Sequence, residues 1–272
     1  ILQANLRLVK LINEESLNYI FNEGPYKGES IALSLAGTPE GQSMLIAHSY
    51  RLAIKINKTS LNHVIRKGSH KGESVAYWLA RTIGGRSILQ AVRRLARLIN
   101  ETSLNHVIKE GPHKGESVAF WLAKTPVGQS ILQVDHRLVR TEEGRSMLHA
   151  YDYRLAELIN TSCLSHVIKQ GAYKGESVAI WLVATLAGQS MLQADNYRLA
   201  RRITKSCLNH VIDEGHLKGL SAAFWLVVSA EGRSMLQANH WLACCINRIS
   251  LNHVIKEGPH KGQSIAFWLA GT

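Results

Sequence analysis

Cysteine, proline and acidic residues are scarce in this chain, and each shortage removes a class of protein. Only 4 cysteines and 5 prolines occur among 272 residues, too few for a disulfide scaffold or a collagen-like or proline-rich disordered chain. The cysteines form no CxxC pair. Cys163 and Cys207 are widely separated, Cys244 and Cys245 are adjacent, and all four read as reduced thiols of a cytoplasmic, reducing compartment. Long apolar runs are missing as well. Residues 222–228, a run as long as any, fall far below the roughly 20 residues that cross a bilayer, so no membrane span is expected; nor does the chain start like a signal peptide. The 20 acidic residues face 32 lysines and arginines, for a formal charge of +12. A surplus of that sign favours an acidic partner and says nothing about fold.

What the chain does have is a phrase that returns along its whole length. The clearest copy, residues 103–128, reads SLNHVIKEGPHKGESVAFWLAKTPVG, and further copies begin at Ser16, Ser60, Cys163, Cys207 and Ser250. The glycine after the loop lysine marks the phase: Gly28, Gly72, Gly115, Gly175, Gly219 and Gly262, at intervals of 44, 43, 60, 44 and 43 residues. The long interval contains an abbreviated copy, 131–146, in which the beginning of a repeat runs directly into its end. Cutting at the recurring GxS gives units 1–43, 44–87, 88–130, a short unit 131–146, then 147–190, 191–234 and 235–272. They form a single repeat array. Both ends fall inside a repeat, so a fragment of a longer chain is expected.

All glycines except Gly37, Gly84 and Gly271 occupy three repeat positions; they are punctuation, and no phosphate loop is read into them. Leu104, Val107 and Ile108 have helical spacing, with Ser103 as the expected N-cap and Gly111 as the C-cap. Residues 116–125 (ESVAFWLAKT) are apolar on nearly all sides, which suits a helix sandwiched between neighbours. Residues 87–99 (SILQAVRRLARLI) predict one bent helix or two short ones. Three or four short helices per unit cannot stand alone and must bury their apolar faces on the next unit. The expected fold is all-α: a right-handed α-solenoid of short helices, 43–44 residues per repeat, in which the short unit alters local curvature.

At GESVAFWLA, residues 115–123, the sequence resembles the ankyrin-repeat pattern, in which a glycine, a spaced threonine and a Leu-His-x-Ala-Ala helix follow a turn. Ser117 takes the threonine's place, Ala123 the second alanine's, and Gly128 that of the glycine closing the first helix. The period is longer than the roughly 33 residues of ankyrin, and is similar to those of HEAT and armadillo arrays. The resemblance implies a partner-binding helical scaffold. Such scaffolds are common among effectors of intracellular bacteria, which would place the protein in a host cytosol or nucleus.

Candidate functional residues are those that decorate the repeated frame. Arg7 with Lys10, Arg94 with Arg97, Arg137 with Arg140 and Arg198 with Arg201 lie three apart, and Arg51 with Lys55 four apart, so each pair shares a helix face. Stacking brings the pairs into register as a basic stripe, extended by Arg93, Arg154 and Arg202, that meets either solvent or a phosphate-bearing or acidic partner. Loop lysines Lys27, Lys71, Lys114, Lys174, Lys218 and Lys261 form a second ladder. Glu29, Glu73, Glu116 and Glu176 follow two positions later and offset much of its charge, which favours a structural loop. His63, His106, His166, His210 and His253 recur too far apart for a metal site, and Asn18, Asn62, Asn105, Asn209 and Asn252 read as loop-fixing amides. Trp78, Trp121, Trp181, Trp225 and Trp268 sit in apolar helices and are expected to be buried between repeats.

Variation concentrates at one joint: Asn5, His48, Ser49, Val92, Asp135, His136, Asp152, Asn196, Asn239 and His240. This is where a modular reader would encode its partner, and also where solvent-exposed drift would accumulate. The expectation is a non-enzymatic scaffold without cofactor, metal, membrane or small-molecule substrate, binding a protein with an acidic surface through the basic stripe. The alternative is a modular nucleic-acid binder that uses the Arg/Lys ladder on phosphates and the variable joint for readout.

Overall fold

The computed structural model describes residues 11–133 and 154–271, and among them every regular element is helical, with no strand. The described residues fall into two compact units, one ending at Leu158 and the other starting at Ile159.

One repeat shows how the sequence makes the elements. Asn100 accepts the Ser103 N–H at 2.8 Å and opens the helix Glu101–Asn105, so the N-cap lies three residues before the expected Ser103. That helix also ends early, at Asn105. The chain then runs extended through His106 into a hairpin loop, closed where Ile108 donates to the Glu116 carbonyl at 3.0 Å and accepts from Gly115 at 2.8 Å. Gly111, expected as a C-cap, instead takes φ +83° inside this loop, a conformation that costs glycine little. Ser117 caps the apolar helix Val118–Lys124, whose residues 118–123 are all buried. Thr125 accepts from Gly128 at 3.1 Å and starts the helix Pro126–Gln133. A Cβ at Gly128 would collide with the Leu122 carbonyl, so this glycine allows the two helices to meet closely.

The stretch 87–99 resolves into two helices, Ile83–Ala91 and Arg93–Leu98, broken at Val92. The same joint explains why the period alternates between 43 and 44. Where it has two residues, the break is a single non-helical residue, Val92 (φ −102°, ψ 70°) or Asn239 (φ −120°, ψ 81°). Where a third residue is inserted, left-handed residues absorb it: His48, Ser49 and Tyr50 at φ 51°, 58° and 62°, and Asn196 and Tyr197 at 51° and 62°.

Within each unit, like packs on like. In the first, Ile31–Ala36, Val75–Arg81 and Val118–Lys124 stack in succession; in the second, Val178–Val183, Ala222–Val228 and Ile265–Ala270 do the same. The asparagines of the LNHVI phrase bind the layers. Asn62 donates to the Leu98 carbonyl at 2.8 Å and accepts the Asn100 N–H at 2.9 Å; Asn209 makes the equivalent pair with Cys245 and Asn247. Ser165 stands in for asparagine and keeps a weaker version, to the Arg202 carbonyl at 3.4 Å and from Thr204 at 3.0 Å. The residue after the GxS glycine closes each helical pair: Gln129 donates to the Ala123 carbonyl at 2.6 Å, and Arg86 to those of Ala80 and Arg81 at 2.8 Å.

Candidate partner-binding surface

The RLx(K/R) segments place most of their described arginines outward, with Arg198 in the turn before the 3-10 helix Ala200–Arg202. Arg51, Arg94, Arg97, Arg198 and Arg201 are all exposed. Arg7, Lys10, Arg137 and Arg140 lie outside the described residues. Lys55 leaves the row: its ammonium donates to the Ile12 carbonyl at 2.7 Å, satisfying a chain group one repeat earlier. Arg202 does the same to Ile159 at 2.6 Å. Arg94 donates to the Ile54 carbonyl at 3.2 Å while its side chain stays exposed.

The loop carboxylates are drawn elsewhere. Glu73, Glu116 and Glu176, which read in sequence as neutralisers of the loop lysines, are buried. They accept the indole N–H of Trp78, Trp121 and Trp181 at 2.9, 2.8 and 2.9 Å. The tryptophans are therefore half-buried to buried and held by a charge-assisted bond. The lysines find partners in the following repeat instead: Lys71 with Glu110 at 2.8 Å, Lys174 with Glu214 at 2.6 Å and Lys218 with Glu257 at 3.0 Å. These exposed pairs link each loop to the next repeat.

Around Glu116 the packing is dense. The Tyr77 hydroxyl donates to it, and burial, followed by the Glu116 charge, pushes that phenol far above its ordinary pKa. Arg81 stacks between Trp78 and Trp121, its guanidinium carbon 5.1 and 5.7 Å from the ring centres. His113 sits 3.9 Å from both Glu73 and Glu116, yet burial and then Arg81 hold its pKa below the usual value.

The LNHVI histidines are half-buried. His63 and His106 line a groove of about 530 Å³ with Arg66, Lys71, Lys109 and Glu110. Burial is the main cause that lowers the pKa of each, and Arg66 and Lys109 add to it. Among the described residues no three His, Cys, Asp or Glu side chains converge as a metal-binding group.

The variable joint is mixed. His48, Ser49, Asn196 and His240 are exposed, but Val92 and Asn239 are only 7% and 6% exposed, so neither of these two presents its side chain openly to solvent. Burial follows from their place at the break, where the side chain turns inward between two helices. Asn5, Asp135, His136 and Asp152 lie outside the described residues. In the second unit the structure brings Arg201, Asn239 and His240 together with Tyr197 and Trp241 around a cavity of about 590 Å³. Tyr197 belongs to the variable joint, and Trp241 stood out in sequence only because tryptophan replaces the arginine of the RLA phrase there.

Compared with known proteins, the chain matches no family model, no curated protein and no solved structure.

Proposed function

We propose that the repeats form a right-handed α-solenoid that works as a non-enzymatic scaffold, binding a protein with an acidic surface through its row of exposed arginines. The stacking of like helices within each unit supports the solenoid. The binding reading rests on one observation: the loop glutamates Glu73, Glu116 and Glu176 are taken into the interior by tryptophan and Glu110, Glu214 and Glu257 pair with loop lysines, while Arg51, Arg94, Arg97, Arg198 and Arg201 remain exposed. A row of exposed arginines in a chain of formal charge +12 raises the local concentration of anionic partners.

The test uses a fluorescent polyglutamate peptide as the acidic probe, at low and physiological salt. The quadruple variant Arg94→Glu, Arg97→Glu, Arg198→Glu and Arg201→Glu is expected to bind about tenfold or more weakly, because several kT of surface potential change sign, with an unchanged circular dichroism spectrum. Undiminished binding would remove the arginine row as the surface. A preference for single- or double-stranded nucleic acid over the peptide, with a steep salt slope, would instead identify the partner as nucleic acid.

A further inference from the structure

We propose that the cavity between the joint at Tyr197 and the helix His240–Cys244 is a nucleotide site, taking a planar base against Trp241 and Tyr197 and its phosphate at Arg201. Its volume of about 590 Å³ falls in the range of small-ligand pockets. The first sign of a ligand is Asn239. This side chain is 6% exposed and lines the cavity. Its Oδ1 accepts the Leu242 N–H at 3.4 Å, whereas its Nδ2 has no acceptor among the described residues. A buried amide donor without a partner is rare in folded proteins.

The second sign comes from the equivalent joint of the first unit. There the tyrosine is present as Tyr50, in the same left-handed conformation, but Val92 stands where Asn239 does, Arg93 for His240, Arg94 for Trp241 and Ile54 for Arg201. The conformation of the tyrosine thus belongs to the three-residue joint. What sets the second unit apart is a set of changes gathered on one cavity: an amide in place of an apolar side chain, an indole in place of a guanidinium, and an arginine in place of an isoleucine. Trp241 is 43% exposed, so core packing does not account for it.

A nucleotide uses all of these groups. The aromatic faces suit a base, the Asn239 donor suits a ring nitrogen or carbonyl on the base edge, and Arg201 with His240 suits a phosphate. An inorganic phosphate would leave the rings unused, and an apolar side chain would leave the arginine and the amide unused. The site is independent of the acidic-partner reading and shares only Arg201 with it.

The experiment titrates the full chain with AMP, UMP and a ten-nucleotide single-stranded RNA, following tryptophan fluorescence and equilibrium dialysis. Saturable binding is expected, weakened at least about tenfold in Trp241→Ala and in Asn239→Val. Trp78→Phe should leave it unchanged, and polyglutamate binding should persist in Trp241→Ala. Binding of free AMP or UMP assigns a soluble nucleotide; binding of the RNA alone assigns a base of a strand. Circular dichroism melting of both variants establishes that they fold. Absence of binding by all three probes, or binding undiminished in folded Trp241→Ala and Asn239→Val, overturns the proposal.

Discussion

Trp225 lacks the hydrogen bond that its counterparts make. At the position where Glu73, Glu116, Glu176 and Gln263 accept an indole N–H, the copy beginning at Cys207 carries Leu220, and the Trp225 Nε1 is buried without a partner among the described residues. A made bond to a charged group contributes more than a neutral one, and removing one member leaves the buried carboxylate under-satisfied. Trp181→Phe is therefore expected to lower the unfolding free energy by about 1–2 kcal/mol more than Trp225→Phe, measured by urea denaturation of the full chain. Equal losses would show that the indole–carboxylate bond adds nothing to the packing of the ring. This pairing was latent in the sequence, since tryptophan lies five positions after the glutamate in each copy that bonds. A lysine two positions earlier offered an equally plausible electrostatic partner, and only burial distinguishes the two.

At the scale of the element, each short helix is held from outside. Helix Glu101–Asn105 has 5 residues, well below the length at which a helix is stable alone, and its capping asparagine and its terminal asparagine supply what its own length does not. Asn209 donates to the Lys205 carbonyl at 2.7 Å and the Cys245 carbonyl at 2.8 Å, and accepts from Asn247 at 2.9 Å. Among the described residues, Asn252 donates to the Arg248 carbonyl at 2.9 Å within its own copy and to no other repeat. At about 1 kcal/mol net per bond, Asn209→Ala should cost about 2–3 kcal/mol and Asn252→Ala about 1 kcal/mol or less. Asn209→Ser should recover part of the loss, because Ser165 already does this work in its own copy. Chemical denaturation monitored by circular dichroism checks all three, and a cost at Asn209 no larger than at Asn252 would show that the ladder is not a stabilising device. The three or four short helices of a repeat and the apolar helix, read at 116–125 and found at 118–124, were legible from spacing and composition, whereas the serine cap at Ser117 was not singled out. The cap at Asn100 was not legible either, since Ser103 and Asn100 are both good capping residues and the choice depends on where the preceding chain arrives.

Across the whole molecule, the half-buried histidines tie stability to pH. Burial first, then Arg66, Lys109 and Lys169, lower the pKa values of His63, His106 and His166 below the ordinary 6.5. In the unfolded chain these rings take up protons near pH 6.5, and in the folded protein only at lower pH. The folded state is therefore favoured fully above about pH 6.5 and loses that contribution as pH falls towards the lowered values. The urea midpoint is expected to drop between pH 7 and pH 5, with a shallower drop in His106→Gln; a midpoint that rises on acidification would contradict the assignment. The carboxylate of Glu110, held below its usual range by Lys71, adds its own loss only further down, below about pH 4.5.

The sequence by itself determined the period, the helical content and the positions of the turns. These follow from local rules: apolar spacing near 3.6, serine, threonine and asparagine before helices, and glycine where φ is positive. The tertiary structure decided which charges face outward. Lys55 and Arg202 were drawn onto carbonyls 43 residues earlier, the loop glutamates were turned inward onto tryptophan, and Val92 and Asn239 were closed off from solvent. Each outcome depends on which side chain a neighbouring layer places within about 3 Å, the reach of a hydrogen bond. That distance is set by stacking, which no single repeat encodes.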